Sequence, residues 1–261
     1  MSEAALPDWA TKPFYEFLDH KRDLAQVLLL SINGISMLRG RYQAIKVLRE
    51  IEDEGAETCD ELKAAAEQKT LAQREVDKGF PLLHEQATVF LWGSLEALIR
   101  SFVASWLGNR QEAWQSPDVK KLKVNLGDYE ALDPGDRCLW VVDLLDKATG
   151  APLRVGVNRF DELLRPFGLQ GPFPDDAKKT LFELSQVRNA LMHRRGRADR
   201  RLIDACPWLE LSPGDQIEIS HKMWRRYNSV VGMYVLKLID RVGEAFGFER
   251  LDLKDKPSLP D

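Results

Sequence analysis

Arg188, Asn189 and His193 are the residues of this 261-residue chain whose types and spacing could do chemistry together. On a helix turning about 100° per residue, Asn189 and His193 share a face one turn apart. Arg188 lies beside Asn189, with a side chain long enough to reach the same space. Arginine is a fixed planar cation that can hold a phosphodiester through two hydrogen bonds; histidine titrates near neutrality and can move a proton; asparagine can orient either the imidazole or a substrate. Those are the parts needed to drive an RNA 2′-hydroxyl onto its own phosphate without a metal. From Arg188 to Arg201 there are six arginines (188, 194, 195, 197, 200, 201) against the single acid Asp199, although the whole chain carries a formal net charge of −4. Positive charge gathered in one place supplies salt-dependent attraction to phosphates while specifying no sequence. The competing reading is structural: Arg194 and Arg195 neutralise a helix C-terminus, and Asn189 and His193 are surface residues.

The elements that must position these residues are helices. Asp175-Asp176 opens one that runs through Leu181, Leu184, Val187 and Leu191 and stops near Arg194-Arg195-Gly196, with cations at its end and a glycine just past it. A core helix is expected upstream, where Phe90/Leu91, Leu95, Leu98/Ile99, Phe102/Val103 and Trp106/Leu107 repeat every three to four residues until Gly108-Asn109. Downstream, Trp208–Leu211 and Gln216–Ile219 alternate around Ser-Pro-Gly-Asp, the pattern of a small β-hairpin. A last amphipathic helix from about His221 to Phe246 carries Trp224, Tyr227, Val231, Tyr234 and Leu238 on one stripe. Before Phe80 the chain reads as a charged helical hairpin standing partly away from the body, Phe14 to about Glu54 and Asp60–Lys78, interrupted at Gly55. The fold class is therefore all-α, with an N-terminal extension at 1–79, a helical domain at 80–247 and a polar tail at 248–261. An insertion at about 108–174, punctuated by Ser-Pro, Asp-Pro-Gly and Gly-Pro-Phe-Pro, holds helical runs at Arg137–Ala148 and Asn158–Arg165 and is expected to decorate the core.

Composition narrows the classes. With 44% apolar and 30% charged residues the chain is globular in type, and its three scattered cysteines, Cys59, Cys138 and Cys206, form neither a disulfide framework nor a zinc motif. The first residues lack a basic start with an apolar core, and the apolar stretch Val27–Ile32 falls short of the roughly 20 residues that cross a bilayer, so a soluble cytoplasmic protein is expected. No phosphate-binding or dinucleotide-binding glycine motif is present. His20, His84 and His221 are isolated and read as surface or packing residues. Asp53-Glu54 and Asp175-Asp176 fit helix ends better than a metal site, so neither metal nor cofactor is expected.

The stretch Gln186-Val187-Arg188-Asn189-Ala190-Leu191-Met192-His193-Arg194-Arg195-Gly196 resembles the signature of the HEPN superfamily of ribonucleases, an Arg followed after four to six residues by His, often with Asn directly after the Arg. The resemblance extends to Gly93–Arg100 on the core helix, the basic segment after the His, the hairpin with Gly214-Asp215 and the terminal helix. This is the order of the branch that includes the RiboL-PSP and ApeA-like HEPN domains, and it covers roughly Phe80 to Phe246. It implies a helical bundle that pairs as a homodimer with a composite site, and metal-independent endoribonuclease activity, often as a toxin or antiviral effector restrained by a regulatory or antitoxin partner. Arg188, Asn189 and His193 would be catalytic, Arg194, Arg195, Arg197, Arg200 and Arg201 would bind RNA, and Glu96 and Arg100, one turn apart, would support the motif or form an ordinary ion pair. Members that keep the fold and lose the activity imply the alternative, a silent module that binds RNA or a protein.

Overall fold

The computed structural model describes residues 5–51, 60–149 and 156–249, and helix dominates all three stretches. The helices are α1 (Asp8–Ile51), α2 (Asp60–Lys78), α3 (Pro81–Asn109), α4 (Pro117–Lys120), α5 (Leu126–Glu130), α6 (Pro134–Ala148), α7 (Val157–Leu164), α8 (Asp175–His193), α9 (Arg200–Ala205) and α10 (His221–Ala245). The all-α class is thus observed. Gly55, where a break was expected, and the tail from 250 lie outside the described residues. Two compact units share the chain, and each is discontinuous: Met1–Asp19, Trp92–Val187 and Tyr227–Asp261 form the first, His20–Leu91 and Arg188–Arg226 the second.

The first unit is built around the apolar stripes of α3, α8 and α10. Leu95, Phe102, Leu181, Leu184, Tyr234, Val235 and Leu238 are completely buried. The insertion departs from expectation. Val142 and Leu145 of α6 and Leu164 of α7 are also completely buried, so it completes this core rather than decorating it. Its helices are short and amphipathic, and only packing against the long helices removes their apolar faces from water. Trp9 stacks edge-on against Trp106 at 5.9 Å and Phe14 meets Phe102 at 5.0 Å, tying the start of α1 to α3. Two buried polar side chains find partners here: Tyr227 donates to Glu183 at 2.7 Å, and Arg241 donates to the carbonyls of Gly171 (2.8 Å) and Pro172 (3.1 Å). Burial lifts the Asp161 carboxyl to about 6 against the opposing pull of Arg241.

The second unit contains most of α1, all of α2, the first turns of α3, the last turns of α8, and the chain from Arg194 to the start of α10. Helices α1 and α2 pair through Arg41, whose Nη1 donates to Gln68 at 2.8 Å, and through Lys69, which lies 5.4 Å from the centre of the Tyr42 ring. Gly79 (φ 73°) and Phe80 (φ 60°) turn the chain between α2 and α3, and Pro81 occupies the first position of α3. Helix α3 is long and apolar enough to cross a bilayer by length and composition, but more than half of its apolar window is buried, as in a core helix.

The β-hairpin expected within 208–219 does not form among the described residues. Pro207–Leu209 winds into a 3-10 turn, and Gln216 instead makes an isolated antiparallel bridge to Arg197. The turn at 212–215 is present, with Asp215 Oδ2 accepting from the Ser212 amide at 2.7 Å, but the segment after it pairs with the arginine-rich stretch rather than with Trp208–Leu211. Alternation marks an extended segment without naming the partner strand.

Candidate functional site

Helix α8 carries the motif in its last turns. Buried Ala190 fixes the inward face of that segment, which leaves Arg188 and Asn189 half-buried at the margin and His193 exposed in the last turn. Arg188 Nη1 donates to Asn189 Oδ1 at 3.2 Å, so the two side chains that the sequence set side by side are in direct contact. His193 makes no side-chain hydrogen bond among the described residues, and its ring is open to solvent.

Two successive left-handed residues, Arg195 (φ 55°) and Gly196 (φ 71°), close the helix, and the Gly196 amide returns to the Ala190 carbonyl at 3.2 Å. Glycine suits the left-handed conformation there, and a Cβ on Gly196 would lie 2.6 Å from Gln216 Nε2, so the end of that side chain would have to shift. The chain beyond is fixed by backbone pairing: Ile217 donates to Gly196 at 2.7 Å, Ala198 to Asp215 at 2.8 Å and Gly214 to Ala198 at 2.8 Å. A left-handed arginine costs on the order of 1–3 kcal/mol and persists where its surroundings over-determine it, as this short ladder does.

The five arginines after the motif divide. Arg194 is engaged by Asp199 (3.1 Å) and Arg197 by the Gly214 carbonyl (3.0 Å). Arg195 and Arg200 are exposed and make no ion pair among the described residues. Asp199 caps α9 by accepting from the Leu202 amide at 3.0 Å. That bond, and then Arg194, hold its carboxyl below the usual range, with Arg201 adding to the effect. The one acid of the basic run is therefore occupied as a helix cap.

A groove of about 330 Å³ runs between α3 and the end of α8, lined by Glu85, Val89 and Phe90 on one side and by Leu191, Met192 and Arg195 on the other. Phe90 and Met192 are each 55% exposed at its rim. Burial, then the charges of Glu218 and Glu75, raise the Glu85 carboxyl. Glu85 has no sequence signature, because only the packing of α3 against α8 brings it to the groove. The same holds for His84, which is 1% exposed and lies 3.2 Å from His221, 137 residues away. Burial and then His221 lower its pKa, while His20 is exposed on α1.

Glu96 and Arg100 are on α3 in the first unit, whereas the motif belongs to the second. Glu96 accepts from Arg159 of α7 at 2.5 Å, and Arg100 pairs with Asp143 of α6, so both are bound to the insertion helices. Among the described residues no group of His, Cys, Asp and Glu could hold a metal ion. Compared with protein-family models, curated proteins and solved structures, the chain matches none of them.

Proposed function

We propose that the chain is a metal-independent endoribonuclease of the HEPN type, acting on single-stranded RNA or a tRNA loop in the cytoplasm as a toxin or antiviral effector. The observation that carries this reading is the exposed imidazole of His193, which makes no side-chain hydrogen bond among the described residues, one turn beyond the Arg188–Asn189 contact and two residues before exposed Arg195, which makes no ion pair among them. In that role His193 moves the proton of the 2′-hydroxyl, whose oxygen attacks the adjacent phosphorus. The 5′-oxygen leaves and takes up a proton, and a 2′,3′-cyclic phosphate remains. Arg188 would hold the non-bridging oxygens as charge builds, and Asn189 orients Arg188. Phe90 and Met192, exposed beside the motif, are the kind of apolar surface a second copy would cover, and pairing there would bring two His193 rings toward one cleft. A regulatory or antitoxin partner would then act by blocking that face.

Purified protein incubated with total cellular RNA should cut it equally in excess EDTA and leave cyclic or 3′-phosphate ends. Cleavage that disappears with EDTA and returns with magnesium would overturn the proposal. A second reading, a silent module that binds RNA or a protein, draws on the half-buried position of Arg188 and its bond to Asn189, which leave part of the guanidinium already committed. It expects RNA binding without cleavage in the same assay.

A further inference from the structure

Helix α1 has a second apolar face that nothing among the described residues covers. Val27, Leu30, Met37, Leu48 and Ile51 are 60, 69, 77, 57 and 75% exposed. Together with exposed Gly34, Arg41 and Ala44 they alternate at spacings of three and four residues from 27 to 51, the heptad seam of a coiled coil, over a rise of about 36 Å. The more buried face of the same helix, with Leu28, Ile35, Tyr42 and Ile45, lies on a different side. Scattered apolar surface is ordinary, but a continuous stripe of this length is what an interaction face looks like.

We propose that this stripe pairs with the same stripe of a second copy of the chain, antiparallel. The order of residues selects both the partner and its direction. In an antiparallel pair Val27 meets Ile51, Leu30 meets Leu48, small Gly34 meets small Ala44, and Met37 meets Arg41, so every large apolar side chain faces another carbon surface. The guanidinium of Arg41 is already drawn to the side by Gln68 (2.8 Å) and Glu61 (3.8 Å) of α2, which leaves its aliphatic stem to cover Met37 of the second copy. A parallel pair would set Arg41 on Arg41 and Gly34 on Gly34. It would also align two basic segments, since Leu24–Leu38 carries no charge whereas Arg39–Glu50 holds four cations and one acid. The antiparallel arrangement lays each uncharged half on a basic half. This interface is separate from the groove at Phe90 and Met192 and does not depend on any catalytic role for His193.

Sedimentation of the full chain tests it. The Leu30→Glu/Leu48→Glu protein, whose substituted side chains are exposed and so should leave helicity intact by circular dichroism, is expected to show half the mass of the parent. Leu30→Glu alone and Leu48→Lys alone each put a charge opposite leucine and should weaken self-association roughly tenfold or more. Mixed in equal amounts they should recover it, because only an antiparallel pair sets the carboxylate introduced at position 30 of one copy against the ammonium introduced at position 48 of the other. A parent that is monomeric, a double variant of unchanged mass, or a mixture that fails to recover association would each overturn the proposal. Cleavage in EDTA is read independently, so this interface and the nuclease can fail separately.

Discussion

His193 is exposed in the last turn of α8, so its loss opens no core cavity and a large effect of its loss must come through chemistry. Proton transfer by a placed side chain is worth about a hundred to ten thousand fold in rate, whereas an exposed side chain without partners changes stability by only about 0.5 kcal/mol. The His193→Ala protein is therefore expected to melt with the parent, to bind RNA with similar affinity and to lose at least about two orders of magnitude in cleavage. A variant that still cuts at the parental rate would leave the nuclease without its central residue. Arg188 is a less clean target because it is half-buried and bonded to Asn189, so its replacement would mix structural and chemical losses.

At the scale of elements, the turn that ends α8 and the segment paired with it decide where the arginines point. Gly196 is left-handed, and a methyl group there would press on Gln216. Gly196→Ala should cost about 1–2 kcal/mol and speed amide exchange at Ile217, Ala198 and Gly214, which close the ladder. Unchanged exchange at those three amides would show that the ladder does not depend on Gly196. Of the basic residues, Arg195 and Arg200 are exposed and make no ion pair or hydrogen bond among the described residues. Replacing both by Ala should weaken RNA binding across sequences and flatten its logarithmic salt dependence by about one to two counterions. A salt slope equal to that of the parent would mean that RNA does not pass there. Arg194 and Arg197, held by Asp199 and the Gly214 carbonyl, should matter less.

At the scale of the whole molecule, the buried His84 makes stability depend on pH. Its pKa is lowered from the ordinary 6.5, first by burial and then by His221, so the unfolded chain binds its proton more readily than the native state. The stability it contributes is present above about pH 6.5 and is lost as pH falls below that value toward the lower native pKa. Asp161 acts in the opposite sense. Raised by burial from 3.8 to about 6, it contributes stability that is complete below 3.8 and lost as pH rises through 6. The comparison of parent with His84→Leu isolates the histidine: the urea midpoint at pH 5.5 should stand higher relative to that at pH 7.5 in the variant than in the parent. Equal separations in the two proteins would exclude His84 as the acid-sensitive group.

The residues that the sequence by itself determined are those whose information is local. The spacing of Leu181, Leu184, Val187 and Leu191 forms α8, and Gly196 stops it, so the Arg188–His193 motif was legible as a helix end before any packing was known. The three long helices were legible for the same reason, because a period of 3.6 is written in neighbouring residues, although the first begins at Asp8 rather than Phe14 and the second at Pro81, before the periodic run from Phe90. Tertiary structure alone decided the pairings between distant positions. It joined Gln216 to Arg197 instead of closing a hairpin, buried α6 and α7 in the first unit, gave Glu96 and Arg100 their partners on those helices, and set His84 against His221. A short amphipathic segment states that it must bury one face, but the surface that buries it is chosen by the packing of the whole chain, where each contact depends on all the others.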